Sequence, residues 1–178
     1  MADGIASASI AVFGAVALAY ATQFVADDFR RFREGSVLAA GLAGELSSYK
    51  FAVPILREMV GSWIAAIDGG RRTDLRFHPF DKPVDHVFPQ AVSKLGLLGS
   101  SLVEEVVFVY GNLGAFRVAM EIISKKNADM GDSELRQRCL GCLQALERAA
   151  GGGEALVPKL QARSTQTFRP PGPWQRSA

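Results

Sequence analysis

The chain has 178 residues, 48% of them hydrophobic, with a formal net charge of +2 and a mean hydropathy of +0.12. That length suits one compact domain with an appendage, and the near-neutral charge excludes a general nucleic-acid binder. Two cysteines, Cys139 and Cys142, are too few and too close together for a disulfide scaffold.

The first predicted element is IASASIAVFGAVALAYATQFVA, Ile5 to Ala26, which carries no charge. As a helix it covers about 33 Å, enough for a hydrocarbon core about 30 Å thick. Ala19-Tyr20-Ala21 has the small-x-small form of an export-signal cleavage site. However, the preceding Met-Ala-Asp-Gly lacks the positive charge such signals carry. The charge lies beyond the stretch, in DDFRRFR, and positive charge follows the cytoplasmic side. The expectation is a retained single span, N-terminus outside and the rest cytoplasmic, in an inner (cytoplasmic) membrane. Phe29, Arg30, Arg31, Phe32 and Arg33 are then membrane-interface residues meeting anionic head groups. Ser7, Ala11, Ala15 and Ala19 form a row of small residues that would let a second helix approach in lipid.

From Ser36 onward the apolar period is helical. Ala39, Leu42, Leu46, Tyr49, Val53, Leu56, Val60, Trp63 and Ile67 alternate spacings of three and four. Pro54 predicts a kink or break near Lys50 to Val53, and Gly69-Gly70 a helix end. Residues 71–89 hold three prolines and mixed charge, which reads as a loop with surface for function. A short helix is expected from about Asp85 to Leu95, stopping at Gly96. Ser101 with Glu104 has the capping-box pattern for the next helix, whose seam is Leu102, Val106, Val109, Leu113, Phe116, Met120 and Ile123. Asn127 to Gly131 closes it. A last helix starts near Asp132 with the seam Leu135, Cys139, Cys142, Leu146 and Ala149, and Gly151-Gly152-Gly153 is expected to end it. The basic, Pro-rich tail predicts disorder, with RPPGPW able to form a polyproline II ligand.

The segment VF..A...LGLLG..L...VV..Y, Val87 to Tyr110, resembles small uncharacterised bacterial proteins with one N-terminal transmembrane helix and a cytoplasmic helical region. The resemblance covers 24 residues and implies an anchored bundle of bacterial or phage origin; it implies no reaction and no catalytic residue.

CLGC, Cys139 to Cys142, is the one motif with redox chemistry attached. A reactive dithiol sits at a helix start after a strand, whereas here both thiols fall on a helical seam, where cysteine packs as a small hydrophobe. A zinc site would have to recruit His78 and His86. Glu104-Glu105 and Asp27-Asp28 are helix neighbours that do not face each other. The string GxxxxGK[ST] is missing from the sequence, as are GxSxG and HExxH.

The expected protein is therefore all-α. Residues 1–35 form a transmembrane anchor and basic juxtamembrane segment, 36–162 a helical bundle, and 163–178 a disordered tail. Its expected role is interaction, structural or regulatory, without catalysis, metal or cofactor. Its expected partners are anionic lipid and either a protein or a second copy, not nucleic acid or a small-molecule substrate. The alternatives are a soluble oligomeric bundle, a CxxC redox or metal protein, and a phage membrane protein acting in lysis or exclusion.

Overall fold

The computed structural model describes the backbone of residues 2–78 and 84–169, and the side chains of 22–78 and 84–169. Among these residues it is all-helical, with α1 Ala2–Tyr49, α2 Ala52–Asp68, α3 Phe88–Ala91, α4 Ser100–Lys126 and α5 Asp132–Thr165. Short 3-10 segments occupy Arg72–Asp74, Val92–Leu98 and Asn127–Asp129.

The seam predicted over Ala39 to Ile67 is the core-facing side of α1 and α2, interrupted by a turn at Lys50-Phe51. Pro54 has no amide to offer the carbonyl of Lys50, so the helical ladder cannot run through that point. The end of α2 is a Schellman turn. Gly70 takes φ +66°, its amide bonds the Ile67 carbonyl at 3.0 Å, and the Arg71 amide bonds Ala66 at 2.8 Å.

The core forms two stacked clusters along α4 and α5. The first joins Ala39, Leu42 and Leu46 of α1 to Val106, Val109 and Leu113 of α4 and to Leu156 and Leu160 of α5. The second joins Val60, Trp63 and Ile67 of α2 to Phe116, Met120 and Ile123 of α4 and to Leu135, Cys139, Cys142 and Leu146 of α5. The architecture is thus a three-rod bundle whose first rod is broken between the clusters. α4 runs in the same direction as α1 and α2, and α5 runs against all three. The chain from Gly69 to Gly99 must therefore travel back the length of the bundle. Leu75 and Phe77 pack on the second cluster, and Ala91, Leu95 and Leu98 belong to the first.

Several expectations need correction. The helix expected to stop at Gly96 continues as a 3-10 segment to Leu98, because Leu98 is buried; it ends at Gly99, where φ is +92°. α4 starts at Ser100 with Gly99 at the cap and no side-chain capping bond, so Ser101 with Glu104 is not a capping box. Gly151-Gly152-Gly153 does not end α5, which continues to Thr165 through Pro158. A Cβ on Gly152 would lie 2.9 Å from a Val109 methyl; glycine there brings α5 against α4. The expected disordered tail is ordered over 163–169, where Arg163 and Phe168 pack on α1; residues 170–178 lie outside the described residues.

Among the described residues, one helix, Ser100–Asp129, is long and apolar enough to cross a membrane by length and composition. It lies mid-chain, so the described residues do not support the expected single N-terminal span. Part of this helix's apolarity faces the core, with Val106, Val109, Leu113, Phe116, Met120 and Ile123 buried, while Val107, Phe108 and Val118 are exposed. The backbone of residues 5–26 is helical within α1, while the side chains of 5–21, including Ala19-Tyr20-Ala21 and the small-residue row, lie outside the described residues.

Candidate functional site

The predicted interface residues lie where α1 enters the bundle. Thr22 to Asp27 are all exposed, six successive residues that exceed one helical turn. Burial begins at Gly35, whose Cβ would fall 2.6 Å from the Leu97 carbonyl. Between these points Phe29 remains 47% exposed, while Arg30, Arg31 and Arg33 project outward. Arg30 pairs with Asp27 at 3.0 Å.

Phe32 departs from the expectation. Its ring is half-buried under the Arg163 guanidinium, 4.7 Å from the ring centroid. Phe168 meets both Phe29 and Phe32, with centroids 5.2 and 5.4 Å apart. Arg163 also donates to Ser36 Oγ at 3.1 Å and to the Leu97 carbonyl at 3.4 Å. Lys94 stands 3.8 Å from Glu34. Beside this end runs an open groove of about 630 Å³, lined by Arg33, Val37, Gly41, Val87 and Lys94.

Farther along α1 lies a half-buried polar clasp that periodicity did not reveal. Glu45 accepts from the amides of His86 at 2.6 Å, Val87 at 2.8 Å and Phe88 at 3.1 Å, and from the Tyr110 hydroxyl at 2.7 Å. The returning chain is thereby held against α1 and α4. Phe88 stacks flat on Tyr110, with centroids 3.9 Å apart. One turn on, Tyr49 donates to Asp85 at 2.6 Å, and Arg117 grips the same carboxylate with two nitrogens. Burial acts to raise the Glu45 carboxyl, but the amides of Val87, His86 and Phe88 and the Tyr110 hydroxyl hold it below its ordinary 4.5. Asp85 behaves alike: burial opposes the shift, and Arg117 and Tyr49 bring it below 3.8. Burial, then donation to Asp85, pushes the Tyr49 phenol up to about 12. Every acidic oxygen here already has a donor, which makes this a fastening rather than a waiting acid or base.

Cys139 and Cys142 sit mid-α5, fully buried and unpaired by disulfide, in the second cluster. Burial raises their thiols to about 11 and about 12, so thiolate is scarce near neutrality. His78 and His86 are exposed, and among the described residues no group of three or more His, Cys, Asp or Glu side chains could hold a metal ion. A second groove, about 590 Å³, opens beside the break at Lys50-Phe51; Leu46, Tyr49, Pro54, Val109, Leu146 and Pro158 line it.

Sequence reasoning missed Glu45, Asp85, Tyr110 and Arg117. The one local signal was Asp85 shortly before Phe88-Pro89, an acid ahead of a proline-started helix. No protein-family model, curated protein or solved structure matches this chain.

Proposed function

We propose that this is a single-pass, membrane-anchored helical interaction protein, structural or regulatory rather than catalytic. Residues 5–26 cross an inner (cytoplasmic) bacterial membrane with the N-terminus outside, and the bundle lies on the arginine side. The observation that carries this reading is the form of α1. One unbroken helix joins a 22-residue uncharged stretch to the core-forming residues after Gly35, and Thr22–Asp27 at the junction are all exposed. Exposed Phe24 and Val25 at the end of that stretch call for an apolar surrounding, and the three arginines that follow favour the cytoplasmic face. A protein partner or second copy has a surface in Val107, Phe108 and Val118, each about half-exposed on α4. A non-catalytic role is supported by the mutual saturation of the Glu45 and Asp85 clasp and by burial of the two thiols.

Carbonate washing of membranes from cells expressing the full chain tests the anchor. The protein is expected to stay in the pellet, with protease added to intact spheroplasts unable to cut beyond Asp27. Release into the supernatant would remove the anchor. A second reading then takes its place, in which the exposed Phe24 and Val25 are covered by the same helix of other copies in a soluble oligomer. Light scattering of the released protein would give several chain masses.

A further inference from the structure

We infer that the end of the bundle where α5 meets α1 is a composite surface for acidic phospholipid head groups, in which Arg163, Arg169 and Lys94 act together with the arginines of α1. The inference rests on the anchor reading above and extends it to parts of the chain far from residue 33.

Depth along α1 carries the argument. If the apolar stretch ends at Ala26, Arg30 and Arg33 lie about 6 and 11 Å past that boundary at 1.5 Å per residue. The head-group layer of one leaflet is about 5–8 Å thick, so these residues straddle its outer edge. α5 arrives at the same level. Phe168 packs on Phe29 and Phe32, which brings the adjoining Arg169 close to the first aromatic after the apolar stretch. Arg163 reaches back over Phe32 from its bond to Ser36. Lys94 joins from the returning chain, next to Glu34. Three separate parts of the sequence therefore place cations in one band, about 6–15 Å past Ala26.

Charge complementarity selects the occupant. Six cations, counting Arg30 and Arg31, face only Asp27, Asp28 and Glu34. Asp27 is engaged by Arg30, and Glu34 is 3.8 Å from Lys94. Arg31, Arg33, Arg163 and Arg169 have no carboxylate partner among the described residues. The exposed Phe24, Val25 and Phe29 border the same surface. A planar array of phosphates over hydrocarbon matches a cationic rim around an apolar stem, whereas a single soluble anion would leave most of the rim unmatched.

The test uses the full chain in flotation with vesicles of neutral phosphatidylcholine alone, or with three parts in ten phosphatidylglycerol. The wild type is expected to float with both and to prefer the acidic vesicles at least tenfold in 0.1 M NaCl, the preference shrinking in 0.5 M NaCl. Each neutralised charge is worth roughly fivefold near such a surface, so Lys94→Gln/Arg163→Gln/Arg169→Gln should lower the preference about tenfold or more while leaving neutral-vesicle flotation unchanged. Arg169→Gln alone lies beyond α5 and tests the point without touching the packing of Arg163. Arg163→Lys, which keeps the charge, should keep the preference. Equal preference in wild type and triple variant overturns the inference and leaves the anchor standing. Flotation with neither vesicle removes the anchor and the inference together. Loss of the acidic preference in a few millimolar inorganic phosphate, at constant ionic strength, would make the occupant a soluble anion and overturn the lipid assignment.

Discussion

The two halves of the bundle share α4 and α5 yet are fastened by different chemistry. The half under α1 holds the returning chain with half-buried charges: Glu45 on three amides and a phenol, and Asp85 between Tyr49 and Arg117. The half under α2 has an apolar interior of Trp63, Phe116, Leu135 and the two cysteines, and its cross-helix charges lie outside, in Arg57–Glu147 and Arg136–Asp68. The first half holds the longer stretch of chain that lacks a helix seam, 84–99; the second holds the shorter 71–78, pinned by Arg72 on Asp132 and on the Asn127 carbonyl. A four-residue helix and a 3-10 segment bury little surface, so directed hydrogen bonds must fix their position. In the α2 half the rod itself is long enough to be fixed by packing, and Arg72 ties down the short segment that follows it.

The sharpest test of whether these halves unfold as one is a matched pair of cavities. Leu156→Ala in the first cluster and Leu135→Ala in the second, both residues fully buried, should each cost about 2–5 kcal/mol in urea unfolding. A single transition in both variants makes the halves one cooperative unit; a biphasic curve in one alone would divide them at Lys50-Phe51.

Next in size is the clasp. Glu45→Gln and Asp85→Asn should each cost about 1–3 kcal/mol, and amide exchange should accelerate over 84–98 before it does over α2. The pH dependence has a definite sign. Both carboxyls are held below their unfolded values of 4.5 and 3.8, so their contribution is complete above those values and disappears as pH falls toward the lowered folded ones. Wild-type stability should therefore decline below about pH 4.5 more steeply than that of the double variant, read by thermal unfolding across pH 2.5–6. Parallel curves would mean the clasp is not what acid releases.

Smallest should be the loss of the outer ion pairs. Arg57→Ala or Arg136→Ala is expected to leave the melting temperature within error at 0.15 M salt, because both pairs are exposed and screened.

What could be read from sequence follows the same division. The α2 half was legible because repeating apolar residues make a seam, and Pro54 and Gly69-Gly70 announce their effects locally. The clasp was not, since Glu45 lies forty residues from the amides it caps, and periodicity says nothing about polar partners at that separation. The glycine run in α5 misled for an energetic reason. Three glycines in a helix cost about 3 kcal/mol relative to alanine, whereas burying Leu156 and Leu160 beyond them contributes about 3–6 kcal/mol. Local chemistry favours stopping there, and the core outweighs it. Pro158 is tolerated on the exposed side of α5, where the Glu154 carbonyl it leaves unpaired can meet water. Likewise, Phe32 looked like a lipid-facing aromatic because its intramolecular neighbours, Arg163 and Phe168, lie more than a hundred residues away.

The return path between Gly69 and Gly99 also sets a timetable. α4 and α5 are joined by only five residues, Asn127 to Gly131, and can zip together with almost no chain to organise. The contact of Ser36 with Arg163 spans 127 positions and closes a ring through nearly the whole molecule. Ring closure of that size is entropically steep and slow. During synthesis α1 leaves the ribosome before α5, so it must wait for Arg163 and the last turns of α5 before its own packing is complete.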